Sequence, residues 1–164
     1  MQVSPGAPPV AATVRFVALA ALVAGLDQAT KVWAVAALSD GPIEVIGRGV
    51  QFRLARNTGG AFSLFTGSTT VLALVGVVLV VFLVRMARRE TDPGLTLGLA
   101  LVLGGALGNL ADRVFRDPGV LKGAVVDFID VGAWPTFNLA DSAIVIGAAI
   151  LILRGWKSGE PARG

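Results

Sequence analysis

Four long apolar blocks constrain this chain more than any other feature of its sequence. They lie at about residues 16–38, 67–84, 95–112 and 137–154. Helices of about 17 to 23 residues extend roughly 25–35 Å, enough to cross a hydrocarbon core of about 30 Å. The composition, 54% hydrophobic and 15% charged, argues against both a soluble enzyme and a disordered chain. The blocks therefore predict an all-α membrane protein with four transmembrane helices.

We assign residues 14–156 to a single membrane domain with a short tail at each end. Residues 1–13 are rich in Pro and small side chains and show no hydrophobic period, which predicts a disordered amino-terminal tail. Residues 157–164 form the predicted carboxy-terminal tail.

The first apolar block also resembles a secretory signal peptide. Arg15 precedes it, and Ala34-Val35-Ala36 has the spacing of a cleavage site. Asp27 and Lys31 interrupt the block, however, and three further apolar blocks follow it. We therefore predict a retained first helix.

Two long segments, residues 39–66 and 113–136, connect helices at one side of the membrane. In the first segment, apolar runs at 43–46 and 50–55 flank Gly47-Arg48-Gly49, and the second run alternates apolar and polar residues. This pattern predicts a β-hairpin. The second segment contains several Pro and Gly residues and predicts a short irregular cap.

The short loop between the second and third blocks indicates the orientation. Arg85, Arg88 and Arg89 crowd this loop, whereas Lys and Arg are nearly equal in total on the two sides. Dense positive charge in a short loop is typical of the cytoplasmic side. We therefore expect both termini in the cytoplasm and both long segments outside.

Missing residue types narrow the chemistry. The sequence has no His and no Cys, which excludes a Ser-His triad, a His-ligated zinc site and a thiolate nucleophile. Basic residues are scattered between apolar blocks, so we expect no nucleic-acid partner. The remaining reactive groups are carboxylates, Lys, Arg, Asn and the hydroxyls.

A repeated tetrapeptide marks the outer ends of the third and fourth blocks. Asn109 to Asp112 and Asn138 to Asp141 both read Asn-Leu-Ala-Asp, which places an amide and a carboxyl on one helical face. For Asn138, an alternative interpretation is simple capping of the fourth helix, with no role in a site. Asp127 lies among apolar residues before the fourth block, where desolvation should raise its pKa. These carboxyls indicate acid–base chemistry by a pair of aspartates, and the repeat alone suggests Asp112 with Asp141.

Two further groups admit two interpretations each. Asp27 and Lys31 lie four residues apart on one helical face, so they form either a structural ion pair or a substrate contact. Asn57 and Gly59 belong to a Gly-rich stretch that either approaches a ligand or forms an ordinary turn.

Two rival functions remain open from the residues alone. One is a proton or ion pathway through a bundle lined by Asp, Asn and Lys. The other is a Ser/Lys hydrolase that uses Lys31 with Ser63 or Ser142.

Five blocks of the chain form an ordered pattern. They are Asp27-Gln28-Ala29-Thr30-Lys31, Arg56-Asn57-Thr58-Gly59-Gly60-Ala61-Phe62-Ser63, Gly108-Asn109-Leu110-Ala111-Asp112-Arg113, Val126-Asp127-Phe128 and Phe137-Asn138-Leu139-Ala140-Asp141-Ser142. In order and spacing, these blocks resemble those of bacterial lipoprotein signal peptidase, signal peptidase II.

The resemblance implies an intramembrane aspartic endopeptidase that removes signal peptides from diacylglyceryl-modified prolipoproteins, cutting before the lipidated Cys. It implies the catalytic pair Asp127 and Asp141, with Asp27 and Lys31 as a supporting ion pair. The residues that it implies for binding and orienting the substrate are Asn57, Gly59, Asn109, Asp112, Arg113 and Asn138.

The same resemblance implies the setting of the enzyme. We expect a multi-pass protein of the bacterial inner membrane, with its active site near the outer leaflet. Its expected partners are diacylated prolipoprotein signal peptides and membrane lipid. We expect a monomer with no cofactor and no metal.

Overall fold

The computed structural model describes residues 10–47, 49–59 and 69–158. The elements in chain order are α1 (Val10–Ala37), β1 (Ile43–Ile46), β2 (Val50–Asn57), α2 (Thr69–Ala87), α3 (Pro93–Phe115), β3 (Val125–Asp130) and α4 (Leu139–Ser158). All four helices are long and apolar enough to cross a membrane. The predicted class, four membrane helices with a small sheet, is confirmed.

The ends of the chain differ from the prediction where the structure describes them. Residues 10–13 belong to α1 and not to a disordered tail, and α4 continues through residue 158. Val10 and the two Ala residues that follow are compatible with helix, so the apolar block simply extends backwards. Residues 1–9 and 159–164, the rest of the predicted tails, lie outside the described residues.

Helix α3 is longer at both ends than its apolar block. Asp92 caps it, because the Asp92 side chain accepts a hydrogen bond of 2.8 Å from the backbone N–H of Leu95, and Pro93 follows at the first helical position. A polar cap with Pro is a helix start that hydropathy alone does not detect.

Helix α3 lies at the centre of the bundle and contacts each of the other helices. Its glycines allow this close approach: a Cβ on Gly105 would lie 2.5 Å from the Ala140 carbonyl oxygen of α4. On another side of α3, a Cβ on Gly104 would lie 2.6 Å from Val23 Cβ of α1, and Gly108 abuts Asp27. Small residues thus bring two helices against α3 from different sides.

The outward faces of the helices remain apolar. Exposed side chains include Val17, Leu22, Val78, Phe82, Ile146 and Ile152. Exposed apolar faces on helices of this length are expected when lipid, and not water, surrounds the bundle.

A three-stranded antiparallel sheet covers the end of the bundle where α1 and α3 end and α4 begins. Its order is β1-β2-β3, so the predicted hairpin of β1 and β2 is confirmed, and β3 pairs with the other edge of β2. The prediction of an irregular cap was therefore wrong for residues 125–130. A strand buried almost throughout shows no alternation, and its partner strand is distant in sequence, so local pattern did not identify it.

Three aromatic rings attach the sheet to the first helix. Trp33 of α1 packs edge-on against Phe52 of β2 and Phe128 of β3, with ring centroids 5.4 and 6.0 Å apart. Phe128 directly follows Asp127. This packing consequently fixes the strand that presents the Asp127 carboxyl to the bundle.

Candidate active site

A cavity of about 310 Å³ lies between the sheet and the ends of α3 and α4. Its lining combines polar and charged side chains with apolar ones. The lining residues are Asn57, Gly59, Asn109, Arg113, Val125, Asp127, Trp134, Pro135, Thr136, Phe137, Asp141, Ile144 and Val145.

Asp127 presents a buried carboxyl to this cavity from the middle of β3. Each oxygen accepts one amide hydrogen bond: Asn57 Nδ2 donates to Oδ2 at 3.0 Å and Asn138 Nδ2 to Oδ1 at 2.6 Å. Burial, and after it the neighbouring charge of Asp141, raise the pKa of Asp127 from 3.8 to about 6, although the hydrogen bonds from the two amides oppose the rise. Asp127 is therefore a carboxyl that can hold or release a proton near neutral pH.

Asn138 connects the two carboxyls of the cavity. It caps α4, because its Oδ1 accepts the Asp141 backbone N–H at 2.9 Å while Asp141 Oδ2 accepts the Asn138 N–H at 3.2 Å. The same Asn138 side chain donates to Asp127. Capping is thus only part of its role, since one residue ties the start of α4 to β3.

Asn109 and Arg113 reach the cavity from α3. Asn109 Nδ2 donates to Asp141 Oδ1 at 2.8 Å, and one guanidinium N–H of Arg113 donates to the Asn109 carbonyl oxygen at 3.2 Å. Arg113 Nε is buried and has no hydrogen-bond partner among the described residues. A cation therefore lines the cavity beside both carboxyls, and its Nε–H is available to a ligand.

Asp27 and Lys31 lie in contact, as their four-residue spacing predicts, but they belong to a larger cluster. Lys31 Nζ lies 2.8 Å from Asp27 Oδ2 and 2.9 Å from Asp112 Oδ2. Asp112 also binds Arg116 at 2.6 Å and accepts the Val126 N–H at 3.1 Å. This four-charge cluster of Asp27, Lys31, Asp112 and Arg116 joins α1, α3 and β3 behind the cavity.

The structure separates the predicted residues into two groups. Those that line the cavity are Asn57, Gly59, Asn109, Arg113, Asp127 and Asp141. Those that lie behind it, buried, are Asp27, Lys31, Asp112 and Asn138. The tetrapeptide repeat suggested Asp112 with Asp141, but the Asp112 carboxylate is held by two cations and is absent from the lining.

Sequence reasoning missed the apolar wall of the cavity. The wall includes Val125, Trp134, Pro135, Phe137, Ile144 and Val145. Trp134, just before the fourth block, was the available signal, because a Trp at the end of a span is typical of a membrane interface. Residues 60–63 of the Gly-rich stretch lie outside the described residues.

Comparison with known proteins identifies the family of the chain. The family model described as signal peptidase (SPase) II matches residues 19–157, most of the chain. The chain belongs to the signal peptidase II family. The match includes all four membrane helices in large part and every residue described above as lining the cavity.

Individual relatives and solved structures support membership of the signal peptidase II family. The lipoprotein signal peptidase of Rhodococcus jostii (strain RHA1) is 51% identical over 144 residues, covering 87% of this chain and 73% of the relative. That of Mycolicibacterium smegmatis (strain ATCC 700084 / mc(2)155) is 52% identical over 135 residues, covering 82% of this chain and 57% of the relative. A bacterial membrane enzyme solved by the in meso method at 2.3 Å superposes with a TM-score of 0.80 at 28% identity, covering 92% of this chain and 93% of that one.

Proposed function

We propose that this member of the signal peptidase II family is an intramembrane aspartic endopeptidase. Its substrates are diacylglyceryl-modified prolipoproteins, and it removes their signal peptides by cutting before the lipidated Cys. The observation on which the proposal depends is the meeting of two carboxyls, Asp127 and Asp141, in one cavity and joined by Asn138.

The proposed reaction uses one shared proton and no covalent intermediate. One carboxylate takes a proton from water as the water oxygen attacks the scissile carbonyl carbon, while the other, protonated carboxyl donates to the carbonyl oxygen. Collapse of the tetrahedral intermediate breaks the C–N bond, and the departing amine takes a proton from the pair. The raised pKa of Asp127, about 6, suits a group that takes up and releases this proton near neutral pH.

Arg113 supports the same chemistry. Its guanidinium lines the cavity, and its Nε has no partner among the described residues. We expect Arg113 to donate to a substrate carbonyl and to offset the negative charge of the aspartate pair.

The apolar wall suits a lipidated substrate. Ile144 and Val145 of α4 line the cavity, and Val145 is exposed on the outer face of the helix. The wall therefore continues onto the surface that contacts lipid. We expect acyl chains and the signal helix to enter sideways from the membrane.

The two rival functions have less support. The three N–H donors of Lys31 are used by Asp27, Asp112 and Asn109, and the Ser142 hydroxyl donates to the Asn138 carbonyl, so Lys31 is not placed as a free amine base. Ser63 lies outside the described residues.

A proton or ion pathway would need polar groups along the whole bundle. Among the described residues, the core cluster of the half remote from the sheet is apolar throughout. Its buried members are Phe16, Ala20, Leu83, Leu99, Ala100, Val102 and Leu103.

Cleavage by the purified chain in detergent tests the proposal. We expect a diacylated prolipoprotein to be cut and the unmodified precursor to remain intact. Asp127→Asn and Asp141→Asn should each abolish cleavage, and the double variant should be no worse than either one, because the two residues act as a unit. Asp130→Asn is the matched control, since Asp130 lies three residues further along the same strand and is absent from the cavity lining. A folded Asp127→Asn protein that cuts at near wild-type rate would refute the assignment and make Asp112 a candidate again.

A further inference from the structure

The Lys31 ammonium has three hydrogen-bond partners, and one of them is uncharged. Its ammonium is completely buried and contacts two carboxylates, those of Asp27 and Asp112. The third hydrogen bond, 2.9 Å long, goes to Asn109 Oδ1, an uncharged amide. Asn109 in turn touches Asp141. A direct chain of hydrogen bonds thus leads from the buried charge cluster to the aspartate pair.

The Asn109 amide is held in one orientation. Its Oδ1 accepts from Lys31 Nζ at 2.9 Å and from Asn138 Nδ2 at 3.2 Å, while its Nδ2 donates to Asp141 Oδ1 at 2.8 Å. A reversed amide would place its NH₂ group against two donors and its oxygen against the Asp141 carboxylate. All three contacts would then be repulsive, so the charge of Lys31 selects the orientation that presents an N–H to Asp141.

We propose that Lys31 is a positioning residue for the aspartate pair, acting through the Asn109 amide on the carboxyl of Asp141. The inference rests on the proposed function and deepens it. Among the described residues, Asn109 is the one cavity-lining residue that accepts a hydrogen bond from Lys31. A wrongly placed catalytic carboxyl reduces the rate of the chemical step far more than it weakens substrate binding.

A pair of variants separates positioning from simple neutralisation, and the double variant removes one charge of each sign. Asp27→Asn is the matched reference, because it retains Lys31 and its hydrogen bond to Asn109. Asp27→Asn/Lys31→Met removes that bond and still leaves Asp112 paired with Arg116, 2.6 Å away. Relative to Asp27→Asn, we expect kcat to fall roughly 10- to 100-fold and KM to stay within about threefold. A folded double variant with the kcat of its reference would overturn the proposal.

Adding Asn109→Ala completes a mutant cycle. If Lys31 acts through Asn109, Lys31→Met should reduce kcat no further once the Asn109 amide is gone. A merely structural Lys31, or one that acts on the pair directly, would reduce kcat by the same factor in both backgrounds. Equal factors would therefore overturn the proposal. Thermal unfolding in detergent establishes that each variant is folded before its rate is compared.

Asn109→Asp keeps the test decisive if the Lys31 variants do not fold. The new carboxylate still accepts from Lys31, so the charge cluster keeps its partner, but it cannot donate to Asp141. We expect kcat to fall at least 10-fold with full folding, the scale of losing a group that orients a catalytic residue. Wild-type kcat in this variant would overturn the proposal. Failure of the proposed function would be distinguishable from failure of this positioning role. In the first case the wild type would not cleave the substrate, or the Asp141→Asn variant would still cleave it.

Discussion

Relative to the wild type, the Asp127→Asn variant should become more stable to unfolding as the pH rises from acid to neutral. Burial raises the pKa of Asp127 from 3.8 to about 6. Below pH 3.8 the carboxyl is protonated in both the folded and the unfolded chain. Between 3.8 and 6 the unfolded chain releases the proton while the folded chain retains it, so wild-type stability falls as pH rises. Above pH 6 both states are ionised and the cost stays constant.

The size of the effect follows from the pKa shift. About two pH units correspond to about 3 kcal/mol of unfolding free energy, since one unit is about 1.4 kcal/mol. The Asn side chain also costs something at every pH. Asn57 and Asn138 both donate to the carboxyl, and an amide offers only one oxygen, so one donor loses its acceptor at about 1–3 kcal/mol. Of these two contributions, only the one that comes from the pKa shift depends on pH.

Thermal unfolding of wild type and variant across pH 4–7 measures this difference. The unfolding temperature of Asp127→Asn relative to wild type should rise by about 6–12 °C over that interval, at roughly 2–4 °C per kcal/mol. Asp130→Asn is the control on the same strand, because hydrogen bonds from Gln51 and the Gly132 N–H lower the pKa of Asp130 below 3.8. Its difference from wild type should be nearly constant over pH 4–7. A constant difference for Asp127→Asn as well would refute the argument that burial of the charge is costly.

Three further predictions concern topology, packing and the charge cluster. Single cysteines at Ser39 and Glu90 should react with an impermeant reagent from outside and from inside the cell respectively, and the opposite pattern would put the cavity on the cytoplasmic side. Gly105→Ala should lower the free energy of unfolding by about 1–3 kcal/mol, because the added Cβ would meet the backbone of α4. Gly155→Ala is the control, since a Cβ at that position would meet nothing within 4 Å, and equal melting temperatures of the two variants would contradict this packing. Asp112→Asn should keep measurable cleavage if Asp112 only holds Lys31 and Arg116, and complete loss in a folded variant would contradict that role.

Much of the fold could be predicted because its signals are local. Each membrane helix is a long, predominantly apolar stretch, so composition within a short window identifies it. The β1–β2 hairpin shows alternation around a Gly-containing turn. Contact between Asp27 and Lys31 follows from four residues on one helix. None of these features depends on which elements meet in space.

Helix ends were less predictable than helices. α1 begins at Val10 and α3 at Pro93, both earlier than the apolar blocks indicated. At α3 the reason is the Asp92 cap, a hydrogen bond between a polar side chain and the backbone that contributes nothing to a hydropathy pattern. Caps therefore have to be sought separately from apolar runs.

The choice among carboxyls is the clearest result of tertiary structure. The repeat alone suggested Asp112 paired with Asp141, each three residues after an Asn. Packing of α1 against α3 brings Lys31 to Asp112, and Arg116 binds the same carboxylate, which leaves it buried behind the cavity. Pairing of β3 with β2 instead brings Asp127 beside Asn57 and Asn138.

The sequence by itself thus determined the membrane spans, the hairpin and the set of polar residues from which a site could be built. The residues alone left the choice of carboxyls open and the family resemblance implied Asp127 with Asp141; the tertiary structure decided which carboxyls face the cavity and which are neutralised behind it. The physical reason is that the charge state and role of a buried Asp depend on its neighbours within a few ångströms. For Asp112 and Asp127 the decisive neighbours come from other helices and strands.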